Sequence, residues 1–216
     1  MNDQPLGCLG RRRLIGRLGA IASIAVTRGL FAADAAPAHD HSAHMAQMAA
    51  EARTAAQPRR VSYEAPAVPM LDQFGRKIAF DKALDDGRPV ILNFIFTSCT
   101  TVCPVMSQIF MQVQAQLAGE LDKVHMVSVS IDPEYDTPAR LQAYTRQHGV
   151  GTQWDFYTGS ISSSVAIQKA FDAFRGDKMN HEAVTLLRGA PGKSWLRLDG
   201  FASPEAIIDA YRSLGT

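Results

Sequence analysis

The sequence predicts an α/β fold: a central mixed sheet with helices on both faces and an N-terminal hairpin. Three observations carry this prediction. Apolar, β-favouring runs at 90–96 and 124–131 alternate with segments of helical period at 102–117, 138–148 and 161–174. The chain then closes with a hairpin, 181–187 and 194–198, and a final helix over 203–214. Between the first apolar run and the first long helix lie two cysteines, Cys99 and Cys103, placed where a strand hands over to a helix N-terminus.

At 216 residues the chain suits one domain plus a leader, divided as 1–38, 39–59 and 60–216. In the first part, Arg11-Arg12-Arg13 precedes a weakly apolar run and an alanine-rich zone. This is the layout of an export signal, twin-arginine-like, and it predicts a periplasmic protein. The apolar run is well short of the ~20 residues that span a bilayer, so cleavage is expected, with an uncleaved inner-membrane tether as the alternative. Residues 39–59 read as a flexible linker. His39, His41, His44, Met45 and Met48 make it either a solvated tail or an auxiliary metal-collecting arm.

Within the domain, ordered structure should begin near 60–63. Residues 71–80 form a hairpin turning at Gln73-Phe74-Gly75, and 85–89 form a loop. The strand 90–96 follows, then the helix 102–117. Val105, Ile109 and Val113 of that helix should face the sheet, with Met106 and Phe110 alongside and Met106 and Met111 serving as core filler. After the strand 124–131, residues 132–138 make a turn in which Thr137 caps a helix that starts at Pro138. A short strand at 154–157 leads through Thr158-Gly159-Ser160 into the helix 161–174. A loop at 175–180 precedes the hairpin, and Ser203-Pro204-Glu205 caps the last helix.

A formal net charge of +1, with acids and bases evenly balanced, speaks against a nucleic-acid partner. Of three cysteines, Cys8 lies in the leader, which leaves one working pair. Unpaired N–H groups and the positive helix end favour thiolate there, so Cys99 and Cys103 read as reactive or metal-binding rather than inert. Their C-x3-C spacing sets the β-carbons about 5–6 Å apart in a regular helix. A disulfide wants about 3.5–4.5 Å and would distort the first turn. A soft metal ion needs less closure; thiolates select copper(I), zinc or iron–sulfur, and a third ligand must come from elsewhere.

His181, at the edge of a loop and a strand, is the natural third ligand, although a lone histidine is often only structural. His125 reads as packing and His148 as a helix C-terminal cap. Asp132 and Asp136 are turn and cap residues that also follow the strand next to the cysteine strand, which makes them candidate neighbours of the thiols. Gly189-Ala190-Pro191-Gly192-Lys193-Ser194 looks like a phosphate loop, but it is one glycine short, contains a proline and lies in a hairpin, so it is set aside.

Phe94-Ile95-Phe96-Thr97-Ser98-Cys99-Thr100-Thr101-Val102-Cys103-Pro104 resembles the C-x3-C-P segment of the Sco (SCO1/SenC) copper-chaperone family. The stretch Ser128-Val129-Ser130-Ile131-Asp132-Pro133-Glu134-Tyr135-Asp136-Thr137-Pro138 is similar to that family's second signature. The resemblance spans about residues 61–214 and implies a thioredoxin-like fold. It further implies copper, Cu(I) or Cu(II), held by Cys99, Cys103 and His181. The implied role is assembly of the binuclear copper (CuA) site of cytochrome c oxidase. The implied partners are subunit II of the oxidase or another copper recipient, together with other periplasmic copper chaperones or thiol reductants. Asn180-His181-Glu182 departs from the family's usual Asp-His-Ser/Thr. A thiol–disulfide oxidoreductase using Cys99 as attacking and Cys103 as resolving thiol is the second reading. A peroxidase-like reading lacks a Thr-x-x-Cys with a nearby arginine.

Overall fold

A computed structural model describes residues 57–215. The expected export signal, Cys8 and the His/Met-rich part of the linker lie outside these residues. Among the described residues no helix is long and apolar enough to cross a membrane.

Eight strands form one sheet: β1 (Arg59–Val61), β2 (Pro69–Asp72), β3 (Lys77–Ala79), β4 (Val90–Ile95), β5 (His125–Ser130), β6 (Trp154–Gly159), β7 (Val184–Arg188) and β8 (Trp195–Asp199). Their order is β1-β8-β7-β4-β5-β6-β2-β3. The centre, β4-β5-β6, is parallel, and every other pairing is antiparallel, so the sheet is mixed as predicted. The helices are α1 (Phe80–Ala83), α2 (Val102–Gln116), α3 (Pro138–Gln147), α4 (Ile161–Ala170) and α5 (Pro204–Arg212).

β4 is buried along its whole length, which is why it reads as an unbroken apolar run rather than an alternating one. Ile91 and Ile95 join a core with Phe110 of α2, Leu141 of α3, Trp154 and Ile207 of α5. Leu92 and Phe94 point the other way, into a core with Phe80 of α1, Ile167 of α4, Phe171 and Trp195. Asn93 is the polar exception; its side-chain oxygen accepts from Ser128, whose hydroxyl in turn accepts from Trp154. The parallel register Asn93↔Ser128 puts that pair in reach across the β4–β5 boundary.

Several expectations are corrected. The helix after β6 stops at Ala170 rather than 174, because Asp172 turns left-handed at φ 51° and its carbonyl is taken by Arg175 and Arg197. β6 extends through Thr158 and Gly159, since β2 pairs with those residues. Gly159 also leaves room for Met70, whose sulfur lies 2.8 Å from where a β-carbon would stand. The strand expected from 181 starts only at Val184. Val105 is 45% exposed; α2 instead turns Cys103, Met106, Phe110 and Val113 inward. The edge strand β1 and the short α1 went unread, each being too brief to show a period.

Candidate metal and thiol centre

β4 ends at Ile95 and α2 begins at Val102, and the link between them is a tight turn in which Cys99 N–H donates to the Phe96 carbonyl. Thr101 occupies the N-cap position yet makes no side-chain cap. The Cys99 sulfur takes that part: it accepts the N–H of Cys103 at 3.4 Å and lies 3.7 Å from the Thr101 hydroxyl. Cys103 sits one turn deeper, 1% exposed, and its sulfur accepts the N–H of Phe96 at 3.4 Å. Both thiols are free.

The two sulfurs are therefore chemically unequal. Burial disfavours the Cys99 thiolate, but the N–H groups of Cys103 and Thr101 and the Thr101 hydroxyl outweigh it and bring the thiol below its ordinary pKa. Burial pushes the Cys103 thiol far up, with only the Phe96 N–H opposing. Cys99 is the half-exposed, readily ionised member; Cys103 is the covered one.

Asp136, fully buried, closes the site from the β5 side. Its carboxylate accepts the Thr97 N–H at 3.1 Å, the Thr97 hydroxyl at 2.5 Å and the Ser130 hydroxyl at 2.6 Å. Burial raises its pKa against these bonds. The turn carrying Asp136 is thus tied to the residue two before Cys99. Asp132, buried in the same turn, accepts from Lys178 at 2.5 Å through its carboxylate. Behind α2, the Tyr144 hydroxyl meets Ser107 at 2.5 Å, and burial pushes the phenol up to about 12.

His181 lies on the loop entering β7 and is buried. Its Nε2 donates to the Phe94 carbonyl at 3.1 Å; a carbonyl only accepts, so Nε2 carries the proton and Nδ1 the lone pair. Burial lowers its pKa. The loop is fastened by Arg175 to Glu182 at 2.8 Å, by Lys178 to Asp132, and by Asp177 capping the short 3-10 helix Lys178–Asn180. The structure brings Cys99 and Cys103 together and sets His181 against the strand that delivers them. Among the described residues no three His, Cys, Asp or Glu side chains converge to hold one ion. His125 packs at the other end of the sheet between Asp86 and Asp155, and His148 follows α3 with its ring tilted against that of Tyr144. Thr97 and Ser130, the partners of Asp136, were not singled out from sequence; a hydroxyl on each side of a buried carboxylate was the available signal.

A profile of the SCO1/SenC family matches residues 66–215. The chain belongs to the SCO1/SenC family. It is 28% identical to the SCO1 protein homolog of Bacillus subtilis (strain 168) over 167 residues, covering 72% of this chain and 85% of the relative. The solved structure of BsSco matches with TM-score 0.62 at 29% identity, over 73% of this chain and 96% of that one. BsSco is described as a member of the Sco family of cytochrome c oxidase assembly proteins and as having a disulfide switch. The copper-bound structure of ScoI from Bradyrhizobium japonicum shares the fold, with TM-score 0.56 at 24% identity over 68% and 99% of the two chains. With the mixed sheet and the helices on both faces, the Sco relatives bear out a thioredoxin-like fold. In this Sco member the two signatures run side by side where β4 pairs with β5, and the Thr97–Asp136 contact joins them beyond the strands.

Proposed function

We propose that this Sco protein is a periplasmic copper chaperone that supplies the CuA site of cytochrome c oxidase. Copper is the cargo, held by Cys99, Cys103 and His181 in a three-coordinate site. The observation that supports it most is the stacked pair of sulfurs, one half-exposed and one buried, at a helix N-terminus. Thiolates in that setting favour a soft ion, and low coordination leaves room for ligand exchange with a recipient's cysteines. His181 joins them by leaving the Phe94 carbonyl, a movement confined to the loop fastened by Arg175 and Lys178. The copper-bound state of the Bradyrhizobium relative and the oxidase-assembly description of BsSco agree with this reading.

Copper(I) titration of Cys99→Ser, Cys103→Ser and His181→Ala tests it, each variant losing the tight equivalent. A His181→Ala protein that binds as the parent does removes the histidine from the ligand set.

The inequality of the thiols supports a second reading, thiol–disulfide exchange. Cys99 thiolate attacks a recipient disulfide, forming a mixed disulfide and releasing one recipient thiolate. Cys103 then loses its proton and attacks Cys99, releasing the second thiolate and leaving Cys99–Cys103 oxidised. The recipient gains two electrons. Metal-free turnover that survives His181→Ala would select this reading over the first.

A further inference from the structure

The end of the sheet opposite the thiols carries a cavity of about 590 Å³, within the range of small-molecule sites. Pro89, just before β4, lines it, whereas Cys99 follows the other end of the same strand, so the two places are about 20 Å apart. The functional reading above makes no use of this cavity.

Its chemistry is uneven. Arg60, Lys123 and Lys193 line it and enter no ion pair among the described residues; among those residues Glu120 is the one carboxylic side chain on its wall. Leu214, Ala190 and the buried Tyr211 add apolar lining. Elsewhere Arg59 and Arg197 pair with Asp199, Arg76 with Asp72, Arg88 with Asp86 and Arg188 with Asp85, while arginines in no ion pair among the described residues, such as Arg140 and Arg146, stand apart on α3 rather than around a shared concavity. Three unmatched cations around one concavity are an electrostatic surplus that an anion would offset.

The hairpin turn set aside from sequence returns here. Gly189, Ala190, Lys193 and Ser194 all line the cavity, and Lys193 N–H closes the turn on the Ala190 carbonyl. Gly192 stands at φ 74°, a conformation a side chain would strain, and lets Lys193 follow directly. Arg60 reaches the Ser194 hydroxyl at 3.5 Å, which brings a guanidinium from β1 to the same wall. Guanidinium, two ammonium groups and a hydroxyl are the donors that recognise phosphate oxygens.

We propose that this cavity is a binding site for a phosphate-bearing ligand, with its anionic group between Arg60, Lys123 and Lys193 and its uncharged part over Tyr211 and Leu214. The same chemistry is presented by a soluble phosphomonoester and by an anionic phospholipid headgroup. A competing account is that the cations merely complement the C-terminal end of α5, which also borders the cavity.

The full chain and its Lys123→Gln/Lys193→Gln variant separate these accounts, with Arg60→Gln as a second variant should the double one fold poorly. Glycerol 3-phosphate is titrated by calorimetry, and sedimentation is measured with vesicles of phosphatidylcholine with and without phosphatidylglycerol. Two charge-assisted contacts should be worth about tenfold or more in affinity, lost in the double variant and absent in high salt. Saturable glycerol 3-phosphate binding that the variant loses supports the site with a soluble ligand. Phosphatidylglycerol-dependent sedimentation that the variant loses, without soluble binding, supports it with a lipid headgroup. Variants that match the parent in both arms overturn the proposal, and a lowered Tm with unchanged binding assigns the cations to the helix end.

Discussion

The buried carboxylate of Asp136 receives both the backbone N–H and the hydroxyl of Thr97, so the turn after β5 grips the end of β4 two residues before Cys99. Ser130 completes the grip from β5 itself. Asp136→Ala would leave three donors without their acceptor in a dry site. The expected loss is about 2–4 kcal/mol of stability, measured by urea unfolding. Alkylation of Cys103 in the folded protein should quicken as the turn loosens. Parent-like stability and parent-like labelling together would remove Asp136 from this structural role.

The two thiols should label in order. Cys99 is half-exposed with its pKa lowered by surrounding donors, while Cys103 is buried with its pKa raised. Iodoacetamide at neutral pH is expected to modify Cys99 first, with Cys103 following only on unfolding; peptide mass spectrometry reads the sites. Thr101→Val removes one donor from Cys99 and should shift its rate–pH profile to higher pH. Equal rates at the two cysteines would contradict this assignment.

Copper affinity should climb with pH. On the proposed ligand set both thiols lose their protons to bind, so where both are protonated in the free protein the apparent constant rises about a hundredfold per pH unit. The slope should halve above the Cys99 titration and persist toward high pH, because Cys103 stays protonated longest. Competition against a chelator of known pH dependence measures it. A flat profile would mean that thiolates are not the ligands.

At the opposite end, His125 sits between Asp86 and Asp155. Burial works against ionisation of Asp155, yet hydrogen bonds from His125 and Gln73 hold its pKa below the ordinary value; Arg88 does the same for Asp86. A carboxylate depressed in the fold adds stability above its unfolded pKa and gives it up as pH falls through the folded one. Tm should therefore drop below about pH 4, and Asp155→Asn should lower the neutral plateau while flattening that acid limb. Superimposable melting curves for variant and parent would show that Asp155 contributes nothing to the acid response.

Phe110 anchors the cysteine helix. It is fully buried, with its ring centroid 5.6 Å from that of Trp154. Phe110→Ala should cost about 3–5 kcal/mol, read from chemical denaturation. A loss well under 1 kcal/mol would mean that α2 is held mainly by other contacts.

Strand β4 was legible in sequence because a strand buried on both faces is a nearly continuous apolar run, β5 from its β-branched valines, and Thr137 and Ser203 announced their helices as caps do. Val105 was misread because helical spacing alone does not say which of two adjacent stripes faces the sheet; the deeper stripe is the one through Cys103 and Phe110. Cys99 and Cys103 were legible as a pair from their position at a strand-to-helix junction. The expected order of attack was legible too, but not its physical cause, which is the deep burial of Cys103 set against the N–H groups of Cys103 and Thr101 at the Cys99 sulfur. The hold of Phe94 on His181 was equally hidden, a backbone carbonyl 87 positions away in sequence.

The depth difference between the two sulfurs imposes an order on traffic. Cys103 is buried and fastened to Phe96, so a visiting molecule meets Cys99 first. On the proposed function, an ion or electron pair handed over leaves by that outer atom, with the inner one as the last to let go.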